Sequence, residues 1–320
     1  MSASGGNKAI VAALLANLGI AVTKFIAFAF SGSSSMLAEG VHSLADTGNQ
    51  GLLLLGGRQA KKKATADHPF GFGRERFVYA FVVSIILFSI GGVFSIYEGV
   101  EKLQHPHELE NAWLPIVVLL IAIGLESFSF RTAIRESNHV RGKQGWVEFI
   151  RRSKAPELPV VLLEDFAALI GLVLALLGVG LTIITGNSVF DALGTLAIGI
   201  LLVLVAIVLG IETKSLLVGE GASVADTEAI RAAINAQPQV EALIHMKTLY
   251  LGPDELLVGA KVAFARSRKL ADIATDINEL ELSIRAAVPI ARVIYIEPDV
   301  YMPPNEANPA TDSFVIKAAD

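Results

Sequence analysis

The chain has 320 residues, of which 53% are hydrophobic and only 18% charged, against about 25% charged in an ordinary soluble domain. A formal net charge of −5 offers no basic surface for nucleic acid. The absence of cysteine excludes disulfides and thiolate metal sites, so any metal must be held by His, Asp, Glu or backbone oxygen.

Charge is sparse in the apolar runs before residue 212 and denser after it, which reads as a membrane portion followed by a soluble one. A bilayer core of about 30 Å needs about 20 apolar residues per helix. Six segments meet that need: 9–30, 36–57, 77–100, 112–134, 159–185 and 190–211. The first, AIVAALLANLGIAVTKFIAFAF, is too long for a signal-peptide core and is followed by no A-x-A pattern, so a retained helix is expected. The connection from the second to the third span holds Arg58, Lys61, Lys62, Lys63, Arg74 and Arg76. The connection from the fourth to the fifth holds Arg135, Arg141, Lys143, Arg151, Arg152 and Lys154, and the other connections are poor in Lys and Arg. The positive-inside rule places both basic loops in the cytoplasm, and an even number of spans puts both termini there too.

Beyond residue 213 the pattern changes. Residues 225–236 are helical in period, with Asp226 a candidate cap. Strands are expected at 243–250 and 256–265, separated by the turn residues Gly252, Pro253 and Asp254. An amphipathic helix at 269–287 and a strand at 292–297 complete an αββαβ order. That order suits a small ferredoxin-like α+β layer pair, an antiparallel-type sheet backed by two helices. The expected organisation is a six-helix transmembrane domain over 1–212, a cytoplasmic αββαβ domain over 213–302 and a disordered tail over 303–320.

Residues 38–50, AEGVHSLADTGNQ, place charge inside the second span. His42 and Asp46 are four apart and share one helix face, flanked by Glu39 and Asn49. The fifth span carries Glu164 and Asp165 between VVLL and FAALIG. Neighbouring helical residues point about 100° apart, so only one of the two faces a given partner fully. Carboxylates inside a membrane are costly and mark ion or proton paths. Glu39 reads as interfacial, near a helix end, whereas Asp46 and Asp165 read as functional. His42 alone fits a hydrogen bond as well as a metal. Beside Asp46, and with acids on another helix, metal ligation becomes the stronger reading. Glu126, in LESFSFR, lies deep in the fourth span; it either tunes this site or hydrogen-bonds Ser127 or Ser129.

An imidazole with carboxylates suits zinc, with cobalt, manganese and iron also open. Only neutral imidazole ligates, so metal and proton compete for His42, which is a physical basis for exchanging one for the other. Alternating access places such a site near mid-membrane.

The stretch SGSSSMLAEGVHSLADTGNQGLLLLGGRQA, then HPFGFGRER at 68–76, resembles the cation diffusion facilitators, which export divalent metals by proton antiport. The likeness covers roughly residues 8–300 and includes the six spans and the αββαβ domain. It implies a transporter and not an enzyme, with no cofactor. Its transported species would be zinc or a related dication, and protons. It also implies a homodimer in the lipid bilayer and a site of four ligands, two each from the second and fifth spans; six spans with a basic cytoplasmic side fit a bacterial inner membrane or an organelle membrane equally well. The second-span pair falls on His42 and Asp46. The fifth span departs from the family pattern, with Val161 four residues before Asp165 and Ala168 four after Glu164, and its LLED element resembles one subgroup. Asp165 is the expected ligand, with Glu164 its partner or replacement.

Accessory family sites look degraded. Asp67 and His68 remain in the loop after the second span, but Phe72 stands where a second His would be, so His68 and Pro69 are read as shaping the loop. In the cytoplasmic domain His245 remains, Lys261 takes a ligand position, and Tyr295 and Glu297 fall on the last strand's. A lysine there disfavours a bound dication, which leaves the domain to dimerisation. His105, His107 and His139 read as solvated. Three rivals stand beside zinc export. One is a manganese, iron or cobalt exporter of the same family. Another is an intramembrane hydrolase built on Asp46 and Asp165, which would leave His42 unexplained. The third is a non-transporting scaffold.

Overall fold

Apolar chain without water to accept its backbone hydrogen bonds must satisfy them internally, and helices do so. The computed structural model describes residues 4–31, 34–105 and 113–303. The expected tail from 304 onward, and His107, lie outside the described residues. The chain divides into two compact units, one ending at Leu217 and the other beginning at Val218.

The first unit is a helical bundle. It comprises α1 (Ser4–Ser31), α2 (Ser34–Gln59), α3 (Glu75–Ile86), a π-helical segment (Leu87–Val93) and α4 (Phe94–Gln104). It continues through α5 (Trp113–Arg141), the short α6 (Trp146–Arg152), α7 (Glu157–Thr185) and α8 (Val189–Val218). α1 packs along α2 and α5, α5 along α7, and α2 along α3. Among the described residues, five helical stretches are long and apolar enough to cross a membrane: Lys8–Ile26, Glu75–Gln104, Pro115–Arg141, Glu157–Thr185 and Val189–Val218. α2 carries Glu39, His42, Asp46, Asn49 and Gln50 within its apolar run, and its side chains are described only from Ser43 onward.

The bundle's exterior is apolar, and its interior combines an apolar core, with Ile10, Leu53, Val83, Val161 and Leu209 in it, and a set of buried polar groups. Leu15, Val22, Ile26, Leu120, Leu204 and Ile211 are exposed, whereas Lys24, Asn49, Gln50, Glu126, Glu164 and Asp165 are buried. Lipid tails solvate exposed leucine as well as a neighbouring helix does, so close packing and polar contacts hold such a bundle together. Small residues permit the closest approach. A Cβ at Gly199 of α8 would lie 2.7 Å from the Ile96 backbone nitrogen, and one at Gly92 would lie 2.6 Å from Val203. α7 stops at Gly186, whose φ of 68° is the left-handed conformation that suits a helix C-terminus. Near the start of α7 the buried Glu157 pairs with Arg76 of α3.

The second unit follows the order α9 (Val224–Asn235), β1 (Val240–Gly252), β2 (Glu255–Phe264), α10 (Leu270–Ala287) and β3 (Ala291–Asp299). Ser223, not Asp226, caps α9. Its Oγ accepts from the Asp226 backbone N–H at 3.1 Å and donates to Asp226 Oδ2 at 2.7 Å. The strand order is β1-β2-β3. β1 and β2 form the expected antiparallel hairpin, but β2 and β3 run parallel. The α10 crossover carries the chain back before β3 begins, and a parallel partner requires such a crossover. β2 buries alternate residues Leu256, Val258, Ala260 and Val262. The intervening positions, in register with Leu249, Val293 and the exposed Tyr295, lie on the other face.

Candidate functional site

Helical spacing brings the polar side chains of three helices together. Asp46, Asn49 and Gln50 follow one another by three and four residues around Asp46, and so share a face of α2. Glu126 and Ser129 are three apart on α5, and Glu164 and Asp165 are neighbours on α7. The adjacent acids divide between two helices. Glu164 turns to α2, where its Oε1 accepts from Asn49 Nδ2 at 3.2 Å and its Oε2 from Gln50 Nε2 at 2.6 Å. Asp165 turns to α5, where its Oδ2 accepts from Ser129 Oγ at 2.7 Å. Both carboxyls are buried, Asp165 completely.

The other Asp165 oxygen, Oδ1, meets no hydroxyl, amide or ammonium donor among the described residues, which leaves the neighbouring Glu126 carboxyl as the hydrogen-bonding partner of Asp165, and the carbonyl oxygens Asn49 Oδ1 and Gln50 Oε1 likewise meet no donor. Leaving a buried acceptor without a donor costs about 1–3 kcal/mol. These oxygens lie where Asp46, Glu126, Glu164 and Asp165 are close enough to act on one another electrostatically. A buried cluster of carboxyls with acceptors left over is chemically matched to a cation or to protons. Ser129, offered by the sequence as a partner of Glu126, instead serves Asp165.

His42 lies on α2, but its side chain, like that of Glu39, falls outside the described residues. Among the described residues, no three His, Asp or Glu side chains are grouped closely enough to hold a metal ion.

Asp67 and His68 are exposed in the loop after α2. The His68 ring lies 4.5 Å from that of Phe72, and its backbone exchanges hydrogen bonds with Thr65 and accepts from Gly71 N–H. In the second unit Lys261 stands opposite His245 on one side and Glu297 on the other. It forms ion pairs of 3.1 Å with Glu297 and 3.0 Å with Asp299. Hydrogen bonding to these two carboxylates holds the Lys261 ammonium above its usual range, and the same bond holds Asp299 below the usual carboxylate range.

Two buried groups escaped the sequence reading. Gln50 is hidden by its position next to Asn49, and only the α2–α7 contact reveals it. Lys24 has a visible signal, being the sole charged residue of the first span. Its Nζ donates to Ser43 Oγ of α2 at 2.9 Å, and it lies within electrostatic reach of Glu126.

A family model described as the cation efflux transmembrane domain matches residues 10–218. The mouse proton-coupled zinc antiporter SLC30A9, mitochondrial, is 31% identical over 262 residues, which cover 81% of this chain and 46% of that protein. Metal tolerance protein C4 of Arabidopsis thaliana is 29% identical over 80% of this chain and 57% of its own length. The cation-efflux pump FieF of Klebsiella pneumoniae is 26% identical over 78% of this chain and 79% of the pump. The chain thus spans about half the length of the mouse and Arabidopsis relatives.

Proposed function

We propose, from the premise that this chain belongs to the cation efflux family, that it moves a divalent metal cation, zinc foremost, across a membrane in exchange for protons. The observation that carries this reading is the buried Asp165, set against the Glu126 carboxyl and close to Asp46 and Glu164 in a bundle with an apolar exterior. α2 acts as a sixth span, its polar face turned inward and its charge tolerated because neighbouring helices surround it. Both basic loops and both termini face the cytoplasm, and export runs outward from it.

Asp165 and Asp46 ligate the metal with His42. Glu164 is engaged on both oxygens by Asn49 and Gln50, so in this state it serves to brace α2 against α7. Movement between these helices would free it to complete the ligand set. Clustered carboxyls cannot all remain charged in a medium of low polarity, so protons occupy them when the metal is absent and leave when it binds. Glu126, beside Asp165, is the candidate proton carrier. The αββαβ order of the second unit supports a ferredoxin-like cytoplasmic module. Its uncovered sheet face around Tyr295 supports a homodimer. Zinc takes precedence because the mouse relative is named a zinc antiporter and because His42 offers an imidazole. An oxygen-rich fifth span also favours manganese, iron(II) or cobalt as a second reading.

The test is flux into proteoliposomes carrying an internal pH dye, with zinc, manganese, cobalt and iron(II) run in parallel for the parent, Asp46→Ala and Asp165→Ala. The expected result is uptake of one metal with opposite proton movement, lost in both variants. No metal flux under a pH gradient, with variants indistinguishable from the parent, would sink the transporter and leave the scaffold.

A further inference from the structure

Lys24 is a full positive charge buried inside an acidic membrane cluster, and nothing in the metal–proton scheme above uses it. A charged side chain there is expensive to keep. Its side chain is 5% exposed, it reaches from α1 to Ser43 of α2, and it acts electrostatically on Glu126 of α5. α1 packs on both of those helices, so the ammonium sits between the elements that carry Asp46 and Glu126. Asp46 acts on Glu126 as well, which puts one cation and several carboxyls in a single electrostatic neighbourhood.

We propose that Lys24 is a built-in counter-cation of the transport site, an inference that rests on the transporter reading. Its ammonium offsets part of the carboxylate charge while the site is unloaded. When a dication enters, the ammonium repels it. That repulsion keeps the bound metal from being held too tightly to leave, and gives Lys24 a positioning role through charge, without contact to the metal. The rival role is mechanical: the hydrogen bond to Ser43 would merely pin α1 to α2.

The two roles separate by substitution. Lys24→Gln removes the charge and keeps a hydrogen-bond donor. Lys24→Arg keeps the charge. Ser43→Ala removes the hydrogen bond and keeps the charge. Zinc is titrated into the purified full chain in detergent under alkaline conditions, where proton competition is least, and zinc flux is measured in proteoliposomes. Removing one unit charge from the neighbourhood of a dication is expected to tighten zinc binding on the order of tenfold in Lys24→Gln. Zinc flux should fall in the same variant because release slows. Lys24→Arg and Ser43→Ala should stay close to the parent.

If Lys24→Gln does not fold, Lys24→Met, which also removes the charge and keeps the length of the side chain, is read instead and should tighten zinc binding in the same way. Parental affinity in the uncharged Lys24 variant, or a Ser43→Ala that reproduces its defect, would each overturn the proposal while transport stands. A parent chain that neither binds nor moves any metal would instead bring down the transporter reading and this inference with it.

Discussion

Glu164→Ala removes both acceptors that hold Asn49 and Gln50. The two hydrogen bonds, at 3.2 and 2.6 Å, join α7 to α2 inside the bundle. Interhelical hydrogen bonds within membranes contribute about 0.6 kcal/mol on average and up to about 1.7 each, because the separated helices also find partners. Two of them to a charged or shared-proton acceptor therefore amount to roughly 1–3 kcal/mol. At roughly 2–4 °C per kcal/mol for a unit of this size, the melting temperature in detergent should fall by several degrees. Glu164→Gln should fall much less. A glutamine oxygen still accepts from one amide, and rotation of the Asn49 or Gln50 amide, whose own oxygen has no donor, lets it receive from the new NH2. Thermal unfolding of parent, Ala and Gln variants in one detergent checks this. An alanine variant as stable as the parent, or a glutamine variant as damaged as the alanine one, would refute the bracing role.

Asp165→Asn should fold with little loss, since the amide oxygen still accepts from Ser129, yet lose zinc affinity by about 10²–10³-fold, the scale of breaking one partner of a buried charge pair; zinc titration beside a melting curve tests both halves. His42→Asp should weaken zinc relative to manganese by exchanging an imidazole for a harder oxygen ligand, which competitive flux with the two metals reads. Gly199→Ala places a methyl against the Ile96 backbone nitrogen, and overpacking of that kind costs about 1–3 kcal/mol, visible as a lower melting temperature. The Asp299 carboxylate, held below its ordinary range by Lys261, adds stability above its unfolded pKa of about 3.9 that is lost as pH falls through the lowered folded value. Lys261→Met should raise its titration, followed by NMR, toward the ordinary range, with the Val300 N–H keeping part of the depression.

The amino-acid order determined what depends on neighbours along the chain. Runs of Leu, Ile, Val, Ala and Gly of bilayer length fix helices, because hydropathy and backbone satisfaction act locally. Alternation and turn residues fixed the β1–β2 hairpin for the same reason. The resemblance carried by SGSSSMLAEGVHSLADTGNQ pointed to the family that the domain match over 10–218 supports. The parallel seating of β3 was not legible, because strand direction depends on where the α10 crossover returns the chain. The division of labour between Glu164 and Asp165 was also out of reach. Helical geometry says only that adjacent residues point about 100° apart; which one meets the Asn49 and Gln50 amides and which meets Ser129 depends on how α7 is rotated between α2 and α5. Lys24 shows the same limit. Its charge is plain in the sequence, but its place beside Ser43 and Glu126 exists only because α1 packs against both α2 and α5, and burial turns a lone lysine into part of an acidic site.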